Sequence, residues 1–250
     1  MDTLQTLDSI KYWNMWHEGL PGFIRAHYDR HPRRLRILEA GCGSQCHMDM
    51  TGLDYSLTGV DVSEEVLKRR IEKNDLDQMV VADLRTVEFG ESEFDVIYCS
   101  YVLEHISGAE ALLDKFFHWL RPGGLLLLLI PDRDTIKGLA TRVTPFWFHV
   151  NYFKYIRRQP TAGKPGFGPF RTYLDKVVSR RGMHKYCEER GCKVIAEHGN
   201  TFDVEGDFGV FSPLYRLVLG FNSLMTFHKI QSTHSDLMFV IKKNGSDDVG

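Results

Sequence analysis

Apolar residues along this chain gather in short runs, and the stretches between the runs alternate in character. Residues 36–40, 57–62, 79–82, 94–100, 125–130 and 193–198 are apolar and rich in β-branched side chains, with segments of helical character between them. Such alternation predicts βαβ units and a parallel sheet. The first four runs are nearly continuous in hydrophobicity, as expected of strands buried on both faces, so helices should cover both sides. A last strand is expected at 236–243, where Leu237, Met238, Phe239, Val240 and Ile241 precede a polar tail that should be frayed.

Between the runs, Ser63 reads as an N-cap and Glu64 and Glu65 as an acidic first turn, opening a helix to about Asn74. A second helix is expected at 109–120, closed by Arg121, Pro122, Gly123 and Gly124. Two stretches fall outside this repeating pattern, 132–175 and 200–234, and long connections in compact domains are usually lids or binding loops. In the second, Leu214, Leu217, Val218, Phe221, Leu224, Met225 and His228 recur at helical spacing and predict a largely apolar helix. Packing on the sheet or a partner subunit, a substrate-pocket wall and a membrane contact all fit it. The last of these would need a basic polar face, and only Arg216 and Lys229 are at hand.

Composition narrows the class. The chain has 250 residues, 43% hydrophobic and 26% charged, the mixture of a globular protein, and one decorated domain is the simplest organisation. A formal net charge of -2 gives no global reason to expect nucleic acid, so a small molecule is the expected partner and a homodimer stays open. Five cysteines, an odd number, fit a reduced, cytoplasmic protein better than a disulfide scaffold. The first ten residues carry no secretory pattern. The longest apolar run, 125–130, is far short of the roughly 20 residues a transmembrane helix needs.

The chemistry starts at Glu39, Ala40, Gly41, Cys42 and Gly43, where a strand runs into a glycine turn. Glycines permit positive φ and let backbone approach a ligand. A dinucleotide turn would place a third glycine where Cys46 stands, so no diphosphate is expected. Asp61 ends the next strand, where a carboxylate can accept both hydroxyls of a ribose. A third strand ends in Asp83 and Leu84, a fourth in Ser100 and Tyr101. Polar or small residues thus share the sheet edge at which open α/β sheets bind ligands. Near the amino terminus, Tyr12 and Trp16 would share one face of a helix covering this cleft.

The order Ile37-Leu38-Glu39-Ala40-Gly41-Cys42-Gly43, Gly59-Val60-Asp61-Val62-Ser63, Val81-Ala82-Asp83-Leu84, Phe94 through Ile106, and Leu120-Arg121-Pro122-Gly123-Gly124-Leu125 resembles class I S-adenosylmethionine (SAM)-dependent methyltransferases, closest to the group with ubiquinone-biosynthesis-like enzymes. The resemblance implies a seven-stranded, mostly parallel Rossmann-like sheet with helices on both faces and the last strand antiparallel. It further implies an N-terminal helical cover (1–35), a SAM-binding core (36–131), an aromatic substrate cover after the fifth strand (132–175) and a C-terminal part of the sheet (176–243). Carried over to this chain, Glu39, Gly41, Cys42 and Gly43 would line the methionine and ribose of SAM, Asp61 with Val62 the ribose, Asp83 and Leu84 the adenine, and Ser100 the methionine end. Gln45 stands where the family often has a third glycine. The product would be S-adenosylhomocysteine (SAH).

Methyl transfer asks the protein to hold a nucleophile in line and take its proton. His105, beside Glu104, is the candidate base, with a structural reading as a cap of the following helix; His149 is the second candidate. Tyr101, Glu104, Trp147 and Phe148 are candidate substrate contacts, although the aromatic run at 145–153 equally suits a helix packing the insertion onto the sheet. Relatives that bind Mg²⁺ carry an acid where this chain has Tyr101, so no metal is expected. A SAM-binding cyclase, decarboxylase or lyase, and a non-catalytic subunit, are the alternatives.

Overall fold

A computed structural model of the chain describes residues 9–10, 19–164, 167–200 and 234–245. Tyr12, Trp16, the apolar segment at 213–228 and the end of the tail lie outside the described residues. In chain order the elements are β1 (Ser9–Ile10), α1 (Leu20–Arg30), β2 (Leu35–Ala40), β3 (Tyr55–Asp61), α2 (Glu64–Glu72), β4 (Gln78–Val81), β5 (Phe94–Ser100), α3 (Ala109–Trp119), β6 (Leu120–Pro131), α4 (Ile136–Val143), α5 (Phe146–Asn151), α6 (Arg180–Arg190), β7 (Lys193–Asn200) and β8 (Asp236–Lys242). A 3₁₀ turn, Leu103–His105, follows β5, and a π-helical turn, Tyr152–Ile156, continues α5.

The strands form one sheet in the order β1-β7-β8-β6-β5-β2-β3-β4. All seven expected strands are present, and β1 adds two residues at one edge. β8 runs antiparallel to both neighbours, β6 and β7, and the remaining pairs are parallel. The carboxyl ends of β2, β3 and β5 therefore lie together. Successive residues point to opposite faces, so Leu38, Ile97 and Leu126 pack with Leu113 and Phe116 of α3 and Met183 of α6, whereas Ile37, Val96 and Leu127 pack with Leu20 and Ile24 of α1 and Leu67 of α2. Each such side chain contributes about 1.5–3 kcal/mol by leaving water.

Two expectations are corrected. β4 is not buried on both faces: it is the last strand at its edge, and Met79 and Val81 are exposed. The Arg-Pro-Gly-Gly stretch does not lie beyond the helix as a separate closure. β6 begins at Leu120, directly after α3, and a register irregularity between Phe94 and Val96 of β5 absorbs the extra residues. The cap is as expected, with the Ser63 hydroxyl accepting from Val66 N.

At the amino edge of β5 the buried Asp95 carboxylate accepts from Arg33, from Arg36 N (2.8 Å) and from Arg121 Nη1 (2.8 Å). Burial alone would raise its pKa, but these bonds win and hold it below the usual 3.8. Its contribution to stability is present above the unfolded pKa and lost as pH falls through the lower folded value. Asp95→Asn should cost about 1–3 kcal/mol at neutral pH in urea denaturation. The difference from the parent should vanish in strong acid.

Candidate active site

β2 ends level with Val60 of β3 and Cys99 of β5, and the chain then turns sharply. Gly41 N and Cys42 N both donate to Val60 O, at 2.8 and 3.0 Å. Gly41 has φ +71°, and a Cβ there would strike Val102 of the segment after β5. Gly43 has φ +57° and open space where its Cβ would stand. The turn is thus closed against the protein on one side and open on the other. Asp61 faces it: Oδ2 accepts from Gly43 N (3.1 Å) and Oδ1 from Ser63 N (2.9 Å). Both oxygens are oriented by main chain and keep lone pairs for a ligand's hydroxyls. Beside it, Val62 is 72% exposed, an apolar surface next to a fixed carboxylate.

Glu39 is buried under the turn and meets a partner the sequence did not announce. Arg70 of α2, also fully buried, donates to Glu39 Oε2 (2.7 Å) and to Cys42 O (2.7 Å), and pairs with Asp75. Burial pushes the Glu39 carboxyl up to about 7, with Arg70 pulling the other way. Arg70 itself is held above the usual arginine value by Glu39 and Asp75, against the effect of its burial. The available signal was position: Arg70 lies three residues after Leu67, on the stripe of α2 that faces the sheet. Burial also drives the Cys42 thiol up to about 12, so it stays protonated.

The end of β5 carries Ser100, half-buried, and Tyr101, whose φ of +53° is an outlier for so large a side chain. Tyr101 N still donates to Leu129 O, so the ladder of β6 holds the strained residue. In the 3₁₀ turn beyond it, Glu104 is buried, and its Oε2 has no hydrogen-bond partner. Burial pushes this carboxyl up to about 8, with Asp236 adding to the rise and Lys137 opposing it. It is mainly protonated at neutral pH. His105 Nδ1 lies 2.9 Å from Arg171 O, and the ring meets Phe170 edge-on at 5.8 Å. A carbonyl only accepts, so Nδ1 carries the proton and Nε2 presents a lone pair. Burial lowers the pKa of His105, partly offset by Arg171 O, and the ring is neutral.

The strip that carries Phe170 and Arg171 is tied down nearby. Tyr173 N and Leu174 N donate to Glu104 O, and Asp175 Oδ2 accepts from Gly108 N (2.7 Å) and Ala109 N (2.9 Å), capping α3. The cap that the structural reading would give to His105 is made by Asp175. Elsewhere, Asp83 is gripped by Arg85, whose side-chain and backbone hydrogen bonds lower its pKa, and Leu84 is buried in the core. His149 on α5 bonds the Thr144 hydroxyl (2.8 Å), and Trp147 and Phe148 beside it are exposed. The aromatic run is helical as expected, but none of its side chains is buried in the core.

The profile of a methyltransferase-domain family matches residues 16–197. The chain belongs to that family. A ubiquinone biosynthesis O-methyltransferase of Mesorhizobium japonicum is 31% identical over 200 residues, covering 74% of this chain and 72% of that protein. Phosphoethanolamine N-methyltransferase 1 of Triticum aestivum is 35% identical over 100 residues, which are 37% of this chain and only 20% of the wheat protein. The match thus spans about a fifth of the length of such relatives. Among solved structures, the plantazolicin methyltransferase BpumL in complex with SAH superposes with a TM-score of 0.53 at 17% identity, covering 90% of this chain and 82% of that one. The [4+2]-cyclase SpnF does so at 0.52 and 13%, over 92% and 83%. These two likenesses bear on the fold alone.

S-adenosylmethionine is the cofactor of this methyltransferase family, and the residues present fit it. The open side of Gly43 leaves room at the turn, and Asp61 offers a main-chain-oriented carboxylate that suits a ribose diol, whereas Glu39 and Asp83 are already paired with Arg70 and Arg85. Arg70→Met should destabilise the fold by about 3–5 kcal/mol in urea denaturation, because it strands Glu39 and the Cys42 carbonyl in the interior. Glu39→Gln, which keeps a hydrogen-bond acceptor for Arg70, should cost less.

Proposed function

We propose that this methyltransferase-family chain transfers the methyl group of SAM to an oxygen, nitrogen or carbon nucleophile of a small molecule, and that His105 takes the acceptor's proton. The observation that carries the reading is the tautomer of His105: its Nδ1–H donates to Arg171 O, so Nε2 is free of a proton beside the strand ends. The cofactor supplies an activated methyl group, and the protein is left with binding, orientation and proton removal. Asp61, with Val62 beside it, binds the ribose, with Gly41, Cys42 and Gly43 at the amino-acid end, Asp83 and Leu84 at the adenine, and Ser100 near the sulfur. Tyr101 and Glu104 line the acceptor side. The protonated Glu104 carboxyl, with its unpartnered Oε2, donates a hydrogen bond to the acceptor. His149, Trp147 and Phe148 remain candidates for the acceptor's outer wall. The likeness of the fold to a cyclase makes a SAM-binding enzyme without methyl transfer the second reading.

Incubating the protein with methyl-labelled SAM and a metabolite extract should yield SAH and a labelled product; turnover without SAM consumption would establish the second reading instead. Asp61→Ala should weaken SAM binding in calorimetry by about 1–3 kcal/mol. Activity should fall on acidification, with a midpoint below the usual histidine value of 6.5 because burial depresses His105. That acid limb should disappear in His105→Gln, while SAM affinity stays unchanged. An acid limb identical in the variant and the parent would remove His105 from the reaction.

A further inference from the structure

The connection between β6 and α6 presents an exposed face that extends well beyond His149, Trp147 and Phe148, the residues proposed for the acceptor's outer wall. α5 and the π-helical turn after it form one helical run, Phe146 to Ile156, with no buried side chain. Trp147, Tyr155 and Ile156 are 64, 67 and 68% exposed, and Phe146, Phe148 and Tyr152 are also exposed. Monomeric proteins seldom leave so large an apolar group in water without a partner for it.

Charge separates the possible partners. Between Thr135 and Asp175 the sequence holds seven lysines and arginines and no acid, in a chain whose formal net charge is -2. Arg142, Lys154, Arg157, Arg158 and Lys164 are exposed, and among the described residues no carboxylate lies within ion-pair distance of any of them. Lys154 instead stands over the ring of Tyr155, 5.5 Å from its centroid. A second copy of the chain seated here by two-fold symmetry would bring these cations against their own like. A single-stranded nucleic acid would use the rings and the charges, but has no use for exposed aliphatic groups such as Ile156 and Val143. A membrane surface uses all three. Aliphatic and aromatic side chains enter the boundary between headgroups and acyl chains, tyrosine and tryptophan keep their polar ends at the headgroups, and arginines and lysines meet anionic phosphates.

We propose that the face built from Phe146 to Ile156 and its flanking cations docks the protein on the surface of a membrane containing anionic lipid. The contact is peripheral, since the helical run from Phe146 to Ile156 is far shorter than the roughly 20 residues that cross a bilayer. The docked face belongs to the connection whose far end, at Phe170 and Arg171, holds His105.

Co-sedimentation of the full chain with vesicles tests this. Vesicles of phosphatidylcholine with phosphatidylglycerol should bind the protein at least about tenfold more tightly than phosphatidylcholine alone, and salt should weaken the binding. Tyr155→Ser with Ile156→Ser should reduce binding to the anionic vesicles about tenfold or more, and Arg157→Glu with Arg158→Glu should abolish the preference for them. Both double variants replace exposed side chains, so circular dichroism and SAM binding should be unchanged. No binding to anionic vesicles, or equal binding by parent and variants, would overturn the proposal. So would tighter binding of a single-stranded oligonucleotide, or self-association that the Tyr155 and Ile156 changes abolish.

Discussion

Arg70 reaches from α2 beneath the glycine turn and places one guanidinium among the buried Glu39, the Cys42 carbonyl and the half-buried Asp75. The turn is braced from below by this one side chain. A buried carboxylate, a buried carbonyl and a buried guanidinium are each costly alone and tolerable only together, so the three fix one another's positions. With Cys42 held, Gly43 N is aimed at Asp61, and Asp61 in turn orients the start of α2 through Ser63 N. The helix that supplies Arg70 is thereby anchored to the turn that Arg70 supports.

The acceptor side is assembled on a different principle. Tyr101 keeps a strained backbone because β6 pairs with it, and the next residue, Val102, closes against Gly41. Cofactor turn and acceptor turn therefore share a wall. Glu104 and His105 are then governed by the strip of residues 170–175, which comes back from a long connection to bond the Glu104 carbonyl, choose the His105 tautomer and cap α3. That connection has two ends with unlike properties. Its last residues are hydrogen-bonded to the site, whereas its aromatic helical run faces outward with its cations.

The two halves of the site also differ in electrostatics for a shared reason, burial. Glu39 and Glu104 are both raised, but Glu39 has a guanidinium to offset the burial and Glu104 does not. Asp61, on the open side of the turn, has main-chain donors instead of a counter-ion. Three carboxyl groups at one end of the sheet thus have three distinct surroundings: one paired with a buried guanidinium, one held by main-chain donors and one buried without a counter-ion.

Much of this was legible in the residue order. The strands, the N-cap at Ser63 and the turn at Gly41 and Gly43 follow from local pattern, because hydrophobic period, capping and positive φ depend on neighbours in sequence, and the family follows from the resemblance of the ordered motifs. The exposed edge at β4 was not legible, since apolar composition cannot say which strand lies outermost. Nor was Arg70 as the partner of Glu39, 31 residues away, or Arg171 as the partner of His105, 66 residues away. Those pairings arise only when the chain closes on itself. By itself, then, the sequence determined the sheet, the cofactor turn and the family. Tertiary structure decided which charges are buried together, which nitrogen of His105 is bare and which aromatics face water, because burial and long-range contact have no local signature.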